Sequence, residues 1–492
     1  MRDWRGRLLA LLTMAGLCTV AAAGPLKPCR IDGIPNELQC GSLQRPLDPA
    51  RPDGVKIDIH YVVVPALARN KQPDAVLLLA GGPGQSAIKV ASRVLPRLSR
   101  LNNRRDLVFI DQRGTGRSAP LDCPDDSKLS VAEQLEPSAQ MRRIDECRAE
   151  LEKLPYGKDG GLRFFTTTIA MQDMDAVREQ LGVPQWNLVG ASYGTRAAVE
   201  YLRLFPTKVR RTVIDGVAPP DMILPASFST DGQAALDKLF QAHAKTHPEL
   251  RAEWQKLLAS LPRQVNVQQP LTGVPERFTV DRELVMRSVR GPLYQPALAA
   301  ALPAAIHAAA SDGNFAPLFG LTTAFGSSPA MRLAMGMHFS VMCAEDAPRI
   351  AEAKDAPGAD FRTIDAEMYA RVCKTWPRGD VAADFYKMPP APSPVLVLSG
   401  GADPATPPRH GEHVARALGT GHPERVQHVV VAEAGHGVMA VGCMRDLMFR
   451  FIDAKQDAAA LPQDAACATR IPRPVAFQPV QPAQPVHGGA AQ

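Results

Sequence analysis

The sequence predicts an α/β fold: a mostly parallel, doubly wound sheet interrupted by an inserted helical cap. Two observations carry this. Short apolar runs alternate with amphipathic helical stretches from about residue 55 to 219. The rhythm stops over residues 220–390, which are Ala-rich and helical in pattern, and resumes after the proline-rich stretch Pro389 to Pro394. Strands alternating with helices argue for a parallel sheet covered on both faces. Hydrophobic residues make up 45% and charged residues 22% of the 492. That is ordinary globular usage and excludes a disordered or collagen-like chain. The 45 prolines stand well above the usual ~5% and stiffen many loops.

The elements follow in order. Arg2, Arg5 and Arg7 precede the apolar run Leu8 to Val20, and Ala21-Ala22-Ala23 supplies small residues for cleavage. Residues 1–23 therefore read as an export signal, too short for a membrane span. Val55 to Pro65 alternates and is β-branched, a half-buried strand. Ala75 to Ala80 is a continuous apolar run, a central strand ending in Gly81-Gly82-Pro83-Gly84. Ser86 to Leu101 has helical periodicity, and Asp106 to Asp111 is a second buried strand. Thr167 to Leu181 reads as a capped helix. Trp186 to Val189 is a third strand, closed by Gly190-Ala191-Ser192-Tyr193-Gly194, with a helix to about Leu204. Val209 to Asp215 is a fourth; Val395 to Ser399 and Val426 to Ala432 complete the sheet. The expected domains are a core at 24–219 and 391–472 and a cap at 220–390. The Pro/Gln-rich tail 473–492 is expected to be disordered.

Charge and cysteines narrow the class. The net charge is only +6, and no basic stripe interleaves with aromatics, so nucleic acid is not an expected partner. Nor is stable membrane insertion, while the oligomeric state stays open. Beyond Cys18 in the signal, eight cysteines fall in four neighbouring pairs. An even count in an exported chain suggests disulfides. On the order of a hundred connectivities are possible; pairing within each cluster closes the shortest loops. The expected bonds are Cys29–Cys40, Cys123–Cys147, Cys343–Cys373 and Cys443–Cys467. No C-x-x-C pair occurs, so no metal site is expected. The compartment is periplasmic or extracellular.

Gly190-x-Ser192-x-Gly194 is the strongest motif. A serine on a sharp strand-to-helix turn is strained and exposed, and the glycines let strand and helix pack closely. Serine needs a base to act as a nucleophile. His436, in Gly435-His436-Gly437, follows the last strand. Asp403 follows the strand Val395 to Ser399. The order Ser192, Asp403, His436 is the α/β-hydrolase order, and all three fall at carboxyl ends of strands, where open α/β sheets place sites. Asp215, ending its own strand, is the rival acid. His410 and His413 are expected to be solvated. Oxyanion donors are expected from the N–H of Tyr193 and of Gly82, since Pro83 has none. Gly82-x-Gly84-x-x-Ala87 and Gly114-x-Gly116-x-x-Ala119 fit a loose dinucleotide pattern. Pro83 stiffens the first loop and Pro120 replaces a helix after the second, so no cofactor is expected.

These motifs resemble the exported α/β-hydrolase peptidases that include proline iminopeptidases and tripeptidyl aminopeptidases. Gly81-Gly82-Pro83-Gly84 looks like their oxyanion loop, with Ala80 where proline iminopeptidases usually have His. Asp111-Gln112-Arg113-Gly114-Thr115-Gly116-Arg117-Ser118 is similar to their D-Q-R-G-x-G-x-S signature. Gly190 to Arg196 looks like the elbow of the tripeptidyl branch, and Cys373-x-x-Trp376-Pro377 like the re-entry motif. The resemblance implies a serine aminopeptidase that holds a peptide's free amine with cap carboxylates. Glu345, then Asp346, are the candidates in Cys343-Ala344-Glu345-Asp346, the alternative being a solvated charge pair at a helix end. The competing functions are an esterase or amide hydrolase on small molecules and an inactive fold serving as a binding module. The complete set of triad residues argues against the last.

Overall fold

The computed structural model describes residues 26–125, 129–130, 133, 136–269, 272–326 and 332–475. The expected signal at 1–23, Cys18 and all but the first three residues of the tail lie outside them. Among the described residues nine strands form one sheet: β1 (Lys27–Cys29), β2 (Leu38–Pro46), β3 (Lys56–Val64), β4 (Ala75–Leu79), β5 (Leu107–Ile110), β6 (Trp186–Ala191), β7 (Val209–Asp215), β10 (Val395–Gly400) and β11 (Val426–Val431). Their spatial order is β1-β2-β3-β5-β4-β6-β7-β10-β11. The first three strands form an antiparallel edge, and from β5 onward every pairing is parallel.

Burial explains the pattern. Every residue of β4, β5 and β10 is buried, which is why these strands read as continuous apolar runs. The two-residue period sorts β4 between two cores: Leu77 and Leu79 face one, with Trp186 and Leu188, while Val76 and Leu78 face the other, with Phe109 and Leu396. Helices cover both sides. One is Ala87–Asn102, capped by the Ser86 hydroxyl accepting from the Lys89 N–H.

Between β7 and β10 the chain is mainly helical, with two differences from expectation. A hairpin, β8 (Arg263–Gln268) with β9 (Pro275–Val280), lies in this region. Only Val265 and Val267 on one strand and Phe278 and Val280 on the other are buried, too few apolar positions to stand out among helices. Packing also divides the region. Buried apolar residues from Ala235 to Phe319, with Phe361, build a third core of their own, but the helix Met335–Glu345 contributes Met337, Phe339, Val341 and Met342 to the first sheet core. Apart from His338, Ser340 and Glu345 that helix is apolar, and it is buried from Gly336 onward, the mark of an internal helix rather than a surface one.

All four expected cysteine pairs are bonded, at S–S distances of 1.91 to 2.06 Å. Among the described residues no helix is long and apolar enough to cross a membrane.

Candidate active site

Ser192 sits between β6 and the helix Tyr193–Leu204 with φ 55° and ψ −125°, a conformation that costs a non-glycine residue on the order of 1–3 kcal/mol. Its neighbours make the turn possible. A Cβ on Gly190 would lie 2.5 Å from the Gly194 carbonyl oxygen, and one on Gly194 would lie 2.1 Å from that of Leu79. The Ser192 N–H donates to the Asp215 carbonyl at 2.9 Å. The Thr195 hydroxyl donates to the Ser192 carbonyl and accepts from the Ala218 N–H. The turn is thereby fixed to β7 and the segment after it.

His436 follows β11, and its Nδ1 lies 2.8 Å from Asp403 Oδ2. Asp403 is buried and also accepts from the Ala405 and Thr406 N–H groups and the Thr406 hydroxyl. Burial pushes the Asp403 carboxyl up, but His436 and these donors outweigh it and hold the pKa below the ordinary value. Burial likewise pulls the imidazole down, and the Asp403 charge overcomes it, leaving His436 above 6.5. With Nδ1 engaged, Nε2 is left for a reacting group. The imidazole lies against Gly216, the residue after Asp215, where a Cβ would lie 3.2 Å from His436 Cε1.

Asp215, the rival acid, does something else. Its carboxylate accepts the N–H groups of Val438 and Met439 at 2.7–2.9 Å, and burial raises its pKa to about 6. It holds the backbone of the histidine loop, and the imidazole takes its hydrogen bond from Asp403.

The loop Gly81 to Gly84 lies against the serine: a Cβ on Gly81 would come within 3.2 Å of Ser192 Cβ. Gly82 and Gly84 have φ of 113° and 108°, which L side chains rarely adopt. Among the described residues no protein acceptor takes the Gly82 N–H. The Tyr193 N–H, first in its helix, has no intrahelical partner. Sequence reasoning missed the brace behind this loop. The Ala334 N–H donates to the Gly84 carbonyl. Buried His338 donates from Nδ1 to the Pro83 carbonyl at 3.0 Å and accepts at Nε2 from the Tyr369 hydroxyl at 2.6 Å. Burial lowers its pKa to about 4, so it stays neutral. Tyr294 was also missed. Its carbonyl accepts from the His436 N–H at 2.9 Å, and its ring stands edge-on to the imidazole at 5.0 Å. A histidine and a tyrosine in helical stretches carry no distinguishing local signal.

The signature Asp111 to Ser118 is architectural. Asp111 accepts from the Ser86 hydroxyl and the Ile88 and Arg117 N–H groups, and Arg113 forms a buried bidentate pair with Asp173.

Glu345 and Asp346 require a correction. Both are at most 1% exposed and already satisfied by protein groups. Asp346 takes both Nη groups of Arg196 at 2.8 and 3.0 Å and the Leu224 N–H. Glu345 accepts from the Thr167 N–H and hydroxyl, and burial pushes its carboxyl up to about 7 against the pull of Arg196. Neither is presented to a substrate ammonium. They clamp the helix that begins just after Ser192, and the clamp continues from Thr167 to the Tyr193 hydroxyl and on to Gln112. His410 departs from expectation too: it is buried against Asp231, 2.8 Å away. His413 is half-exposed and pairs with Asp221.

A family model described as the alpha/beta hydrolase fold matches residues 74–442, and the chain belongs to that family. It is 30% identical over 271 residues to a tripeptidyl aminopeptidase of Streptomyces coelicolor, covering 50% of this chain and 49% of the relative. It is 32% identical over 208 residues to the serine protease Hip1 of Mycobacterium tuberculosis, covering 39% of each. A protein named carboxylesterase B, also from Mycobacterium tuberculosis, is 26% identical over 216 residues, covering 42% of this chain and 41% of the relative. The chain thus spans about half the length, or less, of the curated relatives it matches.

Proposed function

We propose that this protein is an exported serine hydrolase acting as an aminopeptidase through an acyl-enzyme on Ser192. The observation that carries the hydrolase reading is the strained Ser192 turn, together with a histidine whose Nδ1 is held at 2.8 Å by a buried aspartate. His436 takes the Ser192 proton as the hydroxyl attacks the scissile carbonyl. It then returns that proton to the leaving amine, and in deacylation it activates water in the same way. Asp403 fixes the tautomer and stabilises the imidazolium. The N–H groups of Gly82 and Tyr193 are the donors for the oxyanion. Two relatives carry peptidase names, which favours peptides over esters. Four disulfides favour an oxidising compartment.

The second reading, an esterase of small molecules, is favoured by the relative named carboxylesterase B and by Glu345 and Asp346 being closed to substrate. One panel separates the readings: free-amine tripeptide substrates, the same peptides acetylated, and short-chain esters, each with wild type and Ser192→Ala. The aminopeptidase predicts that acetylation abolishes peptide turnover. Equal cleavage of free and blocked peptides overturns it in favour of the esterase, and activity surviving in Ser192→Ala overturns both.

A further inference from the structure

The helix Ala87–Asn102 carries its apolar residues Ala87, Val90, Ala91, Leu98 and Leu101 into the second core. Its opposite face is basic. Lys89, Arg93, Arg97 and Arg100, followed by Arg104 just past the helix, recur every three or four residues and are all exposed. That spacing places them in one stripe. The helix contains no acidic residue. Arg100 pairs with Asp446 of a neighbouring helix and lies over Phe449. Lys89, Arg93, Arg97 and Arg104 make no ion pair among the described residues.

A second feature adjoins the stripe. Leu67 is 74% exposed; among the large hydrophobics of the described residues Val475, in the tail, is more exposed. Its loop is fastened to the end of the basic helix. The N–H groups of Leu67, Ala68 and Gln72 donate to the carbonyls of Asn102, Asn103 and Arg104. The loop also carries Arg69, exposed and without an ion pair among the described residues, and Lys71, which pairs with Asp106. An apolar side chain held out beside a row of unpaired cations is poorly explained by folding. It contributes nothing to a core, and the like charges repel.

We propose that this face docks the protein peripherally on an anionic lipid bilayer, the basic stripe meeting the headgroups and Leu67 entering the acyl boundary. Each basic residue near an anionic surface attracts it, within about one Debye length. A single inserted aliphatic side chain adds a salt-insensitive component. A soluble polyanion would use the stripe but have no use for Leu67, which is why the bilayer is the partner argued for. The inference is independent of the hydrolase reading, because no residue of the face belongs to the site described above.

The test is co-sedimentation of the full-length protein with vesicles of phosphatidylglycerol and phosphatidylcholine in equal parts, and with phosphatidylcholine alone. Binding to the first, weakened by salt, and none to the second are expected. Arg93→Glu with Arg97→Glu and Arg104→Glu should lower vesicle binding at least about tenfold. Leu67→Ser should lower it severalfold while leaving retention on a dextran sulfate column unchanged. The far-ultraviolet circular dichroism and the urea midpoint should be as in wild type for both variants, reporting an intact fold. Wild type failing to bind anionic vesicles, or binding both kinds equally, overturns the proposal. So does Leu67→Ser binding vesicles as wild type does, which would make the stripe a site for soluble polyanions.

Discussion

Two buried aspartates bracket the His436 loop, and their surroundings assign them different work. Asp403 meets the imidazole itself, whereas Asp215 meets the N–H groups of Val438 and Met439. Asp403→Asn should therefore cost several decades in turnover, as losses within a triad do, and Asp215→Asn less. The pH dependence gives a finer check. The Asp403 charge keeps the His436 pKa above its ordinary value, and in the proposed mechanism His436 must be neutral to accept the serine proton. Turnover should thus fall as pH drops through a value above 6.5. Removing the charge stabilises the imidazolium less, so in Asp403→Asn that acid limb should move to lower pH. A pH profile of kcat/KM for the two variants decides it: a limb that moves in Asp215→Asn and stays in Asp403→Asn would exchange their roles. At this scale the sequence is most legible where chemistry imposes a local pattern. The Ser192 turn shows through its glycines, and the Asp403–His436 contact through strand ends and chain order. Thr406, His338 and Tyr294 act through contacts across the chain, and nothing beside them in sequence announces it.

The helix Tyr193–Leu204 is held at its first turn by the end of the helix Met335–Glu345, through Arg196 with Asp346 and Tyr193 with Thr167 and Glu345. These groups are fully buried, and removing Asp346 takes the closer counter-charge from Arg196, leaving it only the 3.5 Å contact with Glu345. Asp346→Asn should cost about 3–5 kcal/mol of stability, read as a lower urea midpoint. Glu345→Gln separates two roles for the carboxylates. A clamp predicts lower stability and slower turnover on every substrate, with the preference for free over acetylated peptides unchanged. A KM raised for free-amine peptides alone would restore Glu345 as the substrate anchor. The pair Glu345-Asp346 illustrates why element-level reading stops short. Two carboxylates after an apolar stretch are equally consistent with a solvated helix end, a ligand for an ammonium, or a buried partner. The choice rests on Arg196, about 150 residues away. The hairpin β8–β9 was lost for a related reason, since two buried residues per strand are too weak a period beside long helices.

Over the whole molecule, the parallel sheet and its two-sided cover were readable because fully buried strands are apolar along their whole length. The internal division of the region between β7 and β10 was not, since it depends on which helices reach the first core. The disulfides bear on that division. Cys343–Cys373 lies 30 residues apart in sequence and ties the helix Met335–Glu345 to the end of the helix Ile364–Val372. The first of these helices carries His338, which braces the Gly81–Gly84 loop, and Glu345, which clamps the turn after Ser192 through Thr167 and Tyr193. Cys29–Cys40 closes 11 residues at the antiparallel edge, far along the sheet from β6, β7 and β10. In the chain-entropy model each bond stabilises by about 3–4 kcal/mol, so stability alone hardly distinguishes them. Activity should. Replacing Cys343 and Cys373 by Ser should free a segment that supports the site, so turnover should fall at urea concentrations below those of global unfolding. Replacing Cys29 and Cys40 by Ser should lower the midpoint while turnover and the far-ultraviolet circular dichroism signal are lost together. Measuring both signals along one urea series for the two double variants checks the claim. Coincident loss in the Cys343/Cys373 variant would mean that the helix Met335–Glu345 unfolds only with the rest of the molecule.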